Sequence, residues 1–548
     1  MSNSNKKQNN FILQAGILAA AGFISRIIGL LYVGPVQTII GTVGLGYYSS
    51  AYNYYTIILL ISSYSIPSAI AKVIAQKLSL KEYRNAHRIF LCSMYYVWAV
   101  GLLASLFLYF GAGLFVKSEA AIPVLRVFAP TIFLYGILGV LRGYFQAHKS
   151  MVQTSVSQIL EQIVNAIVSV GAAYTFVKIA QKAALDTGVD NSATYGAMGS
   201  ALGTGAGVVA ALLFMVGIYG LNRGLIHKRI QRDRTGHVDS YREISGTIGR
   251  VVLPFILSTA AYNLSTALNN KLYTSIMSGY AKVEETLVYN DYGIFSEATK
   301  VSNIPVAFAS AMAAAIIPTV AQLVAKQDMT GAKEKIQQAV KTIMILSIPS
   351  AVGLFVLAKP VLQLLFPTEA NLDLAGGALK ALALSVVFYA LSTLSSSILQ
   401  GIGKVNVPII NAAIALMVQT AVLVPLLLFT DLNVYALAIT STAYAGVMCV
   451  LNQISVYKAL GYHQEIFRTF VVPGLAAIFM GAIAWVVYEL VNMLVDVNVV
   501  CVIPAIGVAI VVYFVLLLLF RGVTETELRA MPKGYLLVKA AKKCRLMK

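Results

Sequence analysis

Residues 23–40 read FISRIIGLLYVGPVQTII, a run apolar enough for a bilayer yet carrying one arginine, Arg26, in its first third. A charge at the centre of a spanning helix costs about 2.5–3.5 kcal/mol on insertion scales, so it faces a partner or a wet cavity rather than lipid. Whether this run spans anything is decided by its surroundings. The chain has 548 residues, 58% of them hydrophobic and only 11% charged, where a soluble domain carries about a quarter charged residues. A span needs about 20 mostly apolar residues. About fourteen segments qualify: 11–34, 45–69, 89–114, 122–145, 153–177, 194–220, 249–274, 293–323, 338–358, 376–400, 408–430, 433–456, 470–492 and 498–520. The polar MSNSNKKQNN precedes an apolar run too long for a signal peptide and without a clear cleavage site, so that run reads as the first span. The composition therefore describes an all-α integral membrane protein.

Charge placement orients it. With the N-terminus inside, the inner segments, the N-terminus and the tail from Arg521 hold about 31 of the 41 Lys and Arg, against about 9 of the 22 acids. The outer segments, such as KSEA, AKVEETLVYND and PTEANLD, are acidic or balanced. Both termini are expected in the cytoplasm of a bacterial plasma-membrane protein. The net charge of +19 is then a property of the inner face, suited to anionic lipid and not to nucleic acid.

The chain repeats itself. RGYFQAHKSMVQ (142–153) after the fourth segment echoes SILQGIGKVNV (397–407) after the tenth, and SIPSAIAKVIAQ (65–76) echoes NIPVAFASAMAA (303–314). Offsets of about 240–255 residues, six spans apart, give two pseudo-symmetric six-helix lobes of parallel orientation plus two C-terminal helices. Transporters built this way bind substrate between the lobes. The expected divisions are 1–222 for the first lobe, 223–248 for a basic cytoplasmic loop, 249–457 for the second lobe, 458–520 for the last two spans and 521–548 for a basic tail.

Seven ionisable residues fall inside spans: Arg26, Glu161, Lys271, Glu297, Lys300, Lys380 and Glu489. Lys271, Lys380 and Glu489 sit near segment ends, where long side chains reach water. Arg26 and Lys300 lie deeper and are the candidate substrate cations. Glu297 and Lys300 share one helix face and could neutralise each other. For Glu161 two readings stand open, a coupling-ion or proton site and an ion pair with Arg142. The second, seventh and eighth segments are the least hydrophobic, as expected of helices facing a wet cavity. In the second, Tyr47, Tyr48, Tyr52, Asn53, Tyr54 and Tyr55 form either an interfacial aromatic belt or a surface for stacking on sugar. Pro305 and the small residues after it allow bending and close helix approach. There is no phosphate-binding loop, no nucleophile elbow and no zinc-ligand pattern, and Cys92, Cys449, Cys501 and Cys544 share no close spacing. The chain reads as a transporter, not an enzyme, with no cofactor.

ISRIIG (24–29) resembles the first-helix SR-x-x-G motif of the lipid II flippase (MurJ/MviN-like) branch of the multidrug/oligosaccharidyl-lipid/polysaccharide exporter superfamily. The longer SRIIGLLYVGPVQTIIG and NYYTIILLISSYSIPSAIAKVIAQ are most similar to the stage V sporulation protein B and peptidoglycan-flippase subgroup, and LQGIGKVNVP (399–408) resembles the superfamily's loop after the tenth helix. The resemblance covers the whole chain. It implies alternating-access flipping of undecaprenyl-pyrophosphate-linked cell-wall precursor, with cations lining a central cavity around the pyrophosphate and sugar. Arg26 matches the motif arginine, and Lys300 stands where the eighth helix has an arginine. Tyr32 and Val33 replace a usual arginine and acid. The cavity set is then Arg26, Lys300, Glu297, Asn53 and Tyr52. The last two helices resemble those that form a groove for the lipid tail. Coupling to membrane potential or to a monovalent cation and contact with cell-wall synthesis machinery are implied too. Three alternatives stay open: a flippase for another lipid-linked polysaccharide unit, a cation-coupled multidrug exporter, against which the cationic cavity counts, and a non-transporting scaffold.

Overall fold

The computed structural model describes residues 21–22, 24–64, 66–148, 150–231, 233, 238–325, 327–523 and 525. The polar N-terminus, the first ten residues of the expected span 11–34, most of the basic tail and Cys544 lie outside the described residues. Every regular element among those described is a helix. Ten helices are long and apolar enough to cross a membrane, or eleven counting one bent pair, against about fourteen expected.

That bent pair is the opening stretch. Helix α1 (Ile24–Leu31) meets α2 (Val33–Leu59) at a bend of 44°. The apolar segments 11–34 and 45–69 predict a connection over 35–44. The helix instead continues, because Pro35 falls in the first turn of α2, where its missing N–H costs nothing. The turn comes at Gly41, whose φ of 71° and ψ of 172° belong to a region that only glycine adopts readily. One residue thus replaces the loop expected over 35–44. A π-turn (Leu60–Tyr64) leads into α3 (Ile66–Ser79).

The helices that follow are α4 (Tyr83–Phe110), the short α5 (Ala112–Phe115), α6 (Ile122–Ala147), α7 (Met151–Thr187), α8 (Ser192–Gln231), α9 (Tyr241–Gly279) and α10 (Glu285–Ala325). Then come α11 (Met329–Val356), α12 (Ala358–Leu365), α13 (Leu372–Gly401), α14 (Asn406–Phe429), α15 (Val434–Leu460), α16 (Val472–Asn492) and α17 (Asn498–Leu519). At 39 and 41 residues, α9 and α10 exceed the length a span needs.

The chain packs as two compact units, residues 1–296 with 427–429, and residues 297–426 with 430–548. This division differs from the one at 223–248 read from the repeat. Helix α9 and the start of α10 pack on the first unit because α2 offers them polar and close-fitting partners. Asn270 donates to Ser50 Oγ at 2.8 Å, Asn53 donates to the Tyr292 hydroxyl at 2.6 Å, and the Ser49 and Ser296 hydroxyls are 2.7 Å apart. Gly46 and Gly293 let the α2 and α10 backbones touch, since a Cβ on either would overlap the other helix.

Inside the first unit α6 lies between α4 and α8, and inside the second α13 lies between α11 and α15. The two central helices end alike. The Ser150 N–H reaches back to the Phe145 carbonyl at 3.0 Å, and Lys404 N–H reaches Leu399 at 2.9 Å; His148 bonds Tyr144 as Ile402 bonds Ile398. Such i→i−5 bonds satisfy carbonyls at a helix end. The echo between 142–153 and 397–407 is thus one capping geometry used twice. In the second unit, α16 and α17 bury Ala476, Met480, Ala505 and Tyr513 against α11, and Tyr513 donates to the Ile345 carbonyl at 2.8 Å.

The tightest helix pair is α7 with α8, joined along Gly199, Gly203 and Gly207. A Cβ on Gly199 would stand 2.5 Å from the Ala172 carbonyl, and Cβ atoms on Gly203 and Gly207 would overlap Ser169 and the Glu161 carbonyl. Gly203→Ala is expected to lower stability in detergent by about 1–3 kcal/mol through overpacking. Gly217→Ala, on the same helix with open space around it, should leave the thermal midpoint unchanged.

At the other end of α4 a clasp holds the connection from α8 to α9. Lys77 pairs with Glu82 at 2.8 Å and Asp239 at 2.6 Å, Asn85 accepts from the Asp239 N–H, and Asp233 accepts from the Arg84 N–H. Hydrogen bonds from Lys77 and Asn85 hold the Glu82 carboxyl below the usual carboxylate range. A depressed carboxylate contributes stability above its ordinary titration range and loses it as pH falls through its folded value. The protection factor of segment 238–244, observed exchange set against the intrinsic rate at each pH, should therefore fall as pH drops through and below the glutamate range, and Asp239→Asn should lower it already at neutral pH.

Candidate functional site

The arginine that opens the sequence is exposed on α1, just before the bend at Tyr32. Tyr32, which replaces a family arginine, is tied to α7 by Asn165, whose amide donates to its hydroxyl at 3.3 Å. The hinge of the opening stretch is thus anchored by a neutral hydrogen bond.

The tyrosine-rich face of α2 splits into two roles. Tyr47, Tyr48, Tyr54 and Tyr55 are buried, and Tyr55 stacks on Phe128 of α6 with centroids 4.9 Å apart. These rings are packing. Tyr52 alone of the set is exposed, at 41%, lying parallel to Tyr48 at 5.9 Å. Asn53 spends its amide on Tyr292. A sugar-stacking surface on this face is therefore confined to Tyr52.

Glu161 on α7 is ion-paired with Arg142 of α6 at 2.8 Å, and the Arg142 Nε–H donates to Ser157 at 2.9 Å. Both side chains are largely buried, with side-chain exposures of 14% and 5%. Each charge answers the desolvation of the other.

In the second unit, Glu297 and Lys300 lie one turn apart on α10. Glu297 is fully buried, and the Lys300 ammonium, also buried, is within electrostatic reach of it. Glu369, 6% exposed, approaches Glu297 from the segment after α12 and accepts from the Asn371 N–H at 2.8 Å. Lys300 thus has Glu297 as its electrostatic neighbour, and Glu297 has Glu369 beside it as well. Arg26 belongs to the first unit and Lys300 to the second. Of the end-of-span residues, Lys271 is exposed, Lys380 sits over the Phe355 ring at 5.9 Å and Glu489 is half-buried.

Sequence reasoning passed over the serines and asparagines that hold these helices together: Ser49, Ser50, Asn165, Asn270 and, in the second unit, Asn452, which accepts from Asn411 and donates to Ser396, both at 2.8 Å. It also passed over the glycine row of α8. The four-residue spacing at 199, 203 and 207 was a readable signal for close helix approach.

A helical bundle of ten or more spans with ionisable groups held inside it is the architecture of a membrane transporter. The family model for the lipid II flippase MurJ matches residues 82–504, and the chain belongs to that family. It is a transporter and not an enzyme. It is 23% identical over 480 residues to the lipid II flippase MurJ of Bacillus subtilis (strain 168), covering 84% of this chain and 86% of the relative. It is 22% identical over 538 residues to stage V sporulation protein B of the same organism, covering 96% and 98%. Among solved structures, lipid II flippase MurJ in an inward closed conformation superposes with a TM-score of 0.64 at 15% identity, over 91% of this chain and 97% of that one. An inward-facing multidrug resistance MATE family transporter of the MOP superfamily gives 0.61 at 18% identity, over 81% and 94%. These two likenesses concern the fold.

Glu161→Gln should strand the Arg142 charge and lower stability by about 3–5 kcal/mol, whereas the double change Arg142→Met with Glu161→Met should recover most of that loss. Thermal unfolding of the wild type and the two purified variants measures it.

Proposed function

We propose that the chain flips undecaprenyl-pyrophosphate-linked peptidoglycan precursor, lipid II, from the inner to the outer leaflet of a bacterial plasma membrane by alternating access, with both termini cytoplasmic. The observation that carries this reading is the match of the MurJ family model over residues 82–504. The charged residues support it. A pyrophosphate is best held by cations, and the reading assigns that role to Arg26, exposed on α1, and to Lys300, whose ammonium is buried on α10. Lys300 supplies a point charge that a nearby carboxyl, Glu297, tempers. Tyr52 offers an open ring face to a sugar. Net direction needs an energy source, and membrane potential acts on each cavity charge with about 2.3 kcal/mol per 100 mV. A monovalent cation gradient is the other source the reading admits.

A second reading, flipping of a different lipid-linked polysaccharide unit, draws on the stage V sporulation protein B likeness, which extends over nearly the whole of both chains. Complementation of a strain depleted of its lipid II flippase separates the two. Wild-type chain should restore growth, and its failure to do so favours the second reading. Arg26→Ala and Lys300→Ala should each cut rescue at least tenfold at equal membrane abundance. Full rescue by both variants would remove the cation mechanism for either substrate.

A further inference from the structure

The first unit holds a cavity of about 280 Å³ at the end of α4 remote from the Lys77 clasp. Helix α4 has 28 residues, so the two features lie about 42 Å apart along it. Ser50 and Tyr54 of α2, Phe115 and Lys117 after α4, Lys271 of α9 and Tyr289 of α10 line the cavity. Neither the flippase reading nor the family resemblance uses these residues together.

Their chemistry converges. Lys117 and Lys271 are both exposed side chains, and neither takes part in an ion pair among the described residues. Two ammonium groups at one small opening repel each other unless an anion lies between them. The half-buried Phe115 ring supplies an apolar face at the opening, with Tyr54 and Tyr289 packed behind it, and the Thr274 and Ser275 hydroxyls supply donors and acceptors. The wall itself is fixed. Asn270 anchors Ser50 at 2.8 Å, the Thr274 hydroxyl donates to the Asn270 carbonyl at 2.9 Å, and Tyr289 hydrogen-bonds to Ser50 and to the Ser118 backbone. The volume falls just below the range of about 300–1,000 Å³ typical of drug-sized sites, which suits one ring with its charged substituent rather than an entire oligosaccharide.

We infer that this cavity is a binding subsite for a phosphorylated sugar, with Lys117 and Lys271 on the phosphate and Phe115 against the ring. The inference deepens the flippase reading, because a lipid-linked sugar pyrophosphate carries the same chemistry. With the basic ends cytoplasmic, the subsite opens on the outer side, where a head group leaves or is held after crossing. A free sugar phosphate carries the same groups, so the binding experiment must separate the head group's own chemistry from that of any small anion.

The test is direct binding to the purified full chain in detergent, with N-acetylglucosamine 1-phosphate, N-acetylglucosamine and inorganic phosphate as probes, followed by competition with lipid II. The sugar phosphate should bind at least tenfold more tightly than either fragment. Lys117→Gln and Lys271→Gln should each weaken it at least fivefold, with the matching arginine variants retaining binding and confirming an intact fold. Displacement by lipid II assigns the subsite to the transported head group, and binding without displacement assigns it to free sugar phosphate. Sugar-phosphate binding unchanged in the double glutamine variant, or absent in the wild type, overturns the site; phosphate binding as tightly as the sugar phosphate overturns its saccharide half. Failed complementation with intact, lysine-dependent binding overturns the lipid II reading alone.

Discussion

A polar group inside a bilayer has no water to fall back on, and nearly every contact that shapes this protein answers that constraint. Arg142 is tolerable on α6 because Glu161 and Ser157 meet it from α7, and that pairing fixes the rotation of one helix against the other. The α7–α8 contact then follows. Gly207 of α8 packs over the Glu161 carbonyl, so the helix that supplies the counter-ion is also the one brought to backbone contact by the glycine row. The same logic joins α2 to α9 and α10 through Ser50, Asn53, Asn270 and Tyr292. Apolar side chains alone give helices in lipid little reason to choose one neighbour over another, whereas these small and polar residues do.

Much of the fold was legible because spans are long apolar runs and loops carry charge in a set pattern. The repeat was legible too, and the capping bonds at 145–150 and 399–404 show what it encodes. The errors came where local rules compete. Residues 35–44 read as a connection between two apolar segments, yet a proline in a first helical turn is no obstacle, and the real turn sits at Gly41. Composition cannot locate a single glycine in an unusual conformation among the 41 that the chain contains. The packing units divide the chain elsewhere than the lobes read from the repeat, for a related reason. A repeat marks ancestry of segments, while packing follows side-chain partners, and those of α9 lie on α2.

The candidate site was legible by residue type but not by environment. Arg26, Lys300 and Glu161 stood out because charges in spans are few. Nothing in the sequence separated the structural pair, Glu161 with Arg142, from the exposed Arg26, since that distinction depends on which residue faces which neighbour. The tyrosines illustrate the same limit: six polar or aromatic residues within nine positions of α2 looked like one surface, and helical periodicity turns most of them inward, leaving Tyr52 outside. Membership in the MurJ family joins these features to lipid flipping, while Tyr32 itself serves the packing, its hydroxyl accepting from Asn165 of α7.

The one-residue turn at Gly41 also has mechanical content. With no loop at Gly41, the two halves of α2 are joined through a single residue, so its φ and ψ set how one half is aimed against the other. Freedom for the segment bearing Arg26 is left at the bend by Tyr32, whose hydroxyl is moored to Asn165. Arg26 therefore stands on a short helix whose direction is set by the bend at Tyr32 and by the bond that ties that bend to α7.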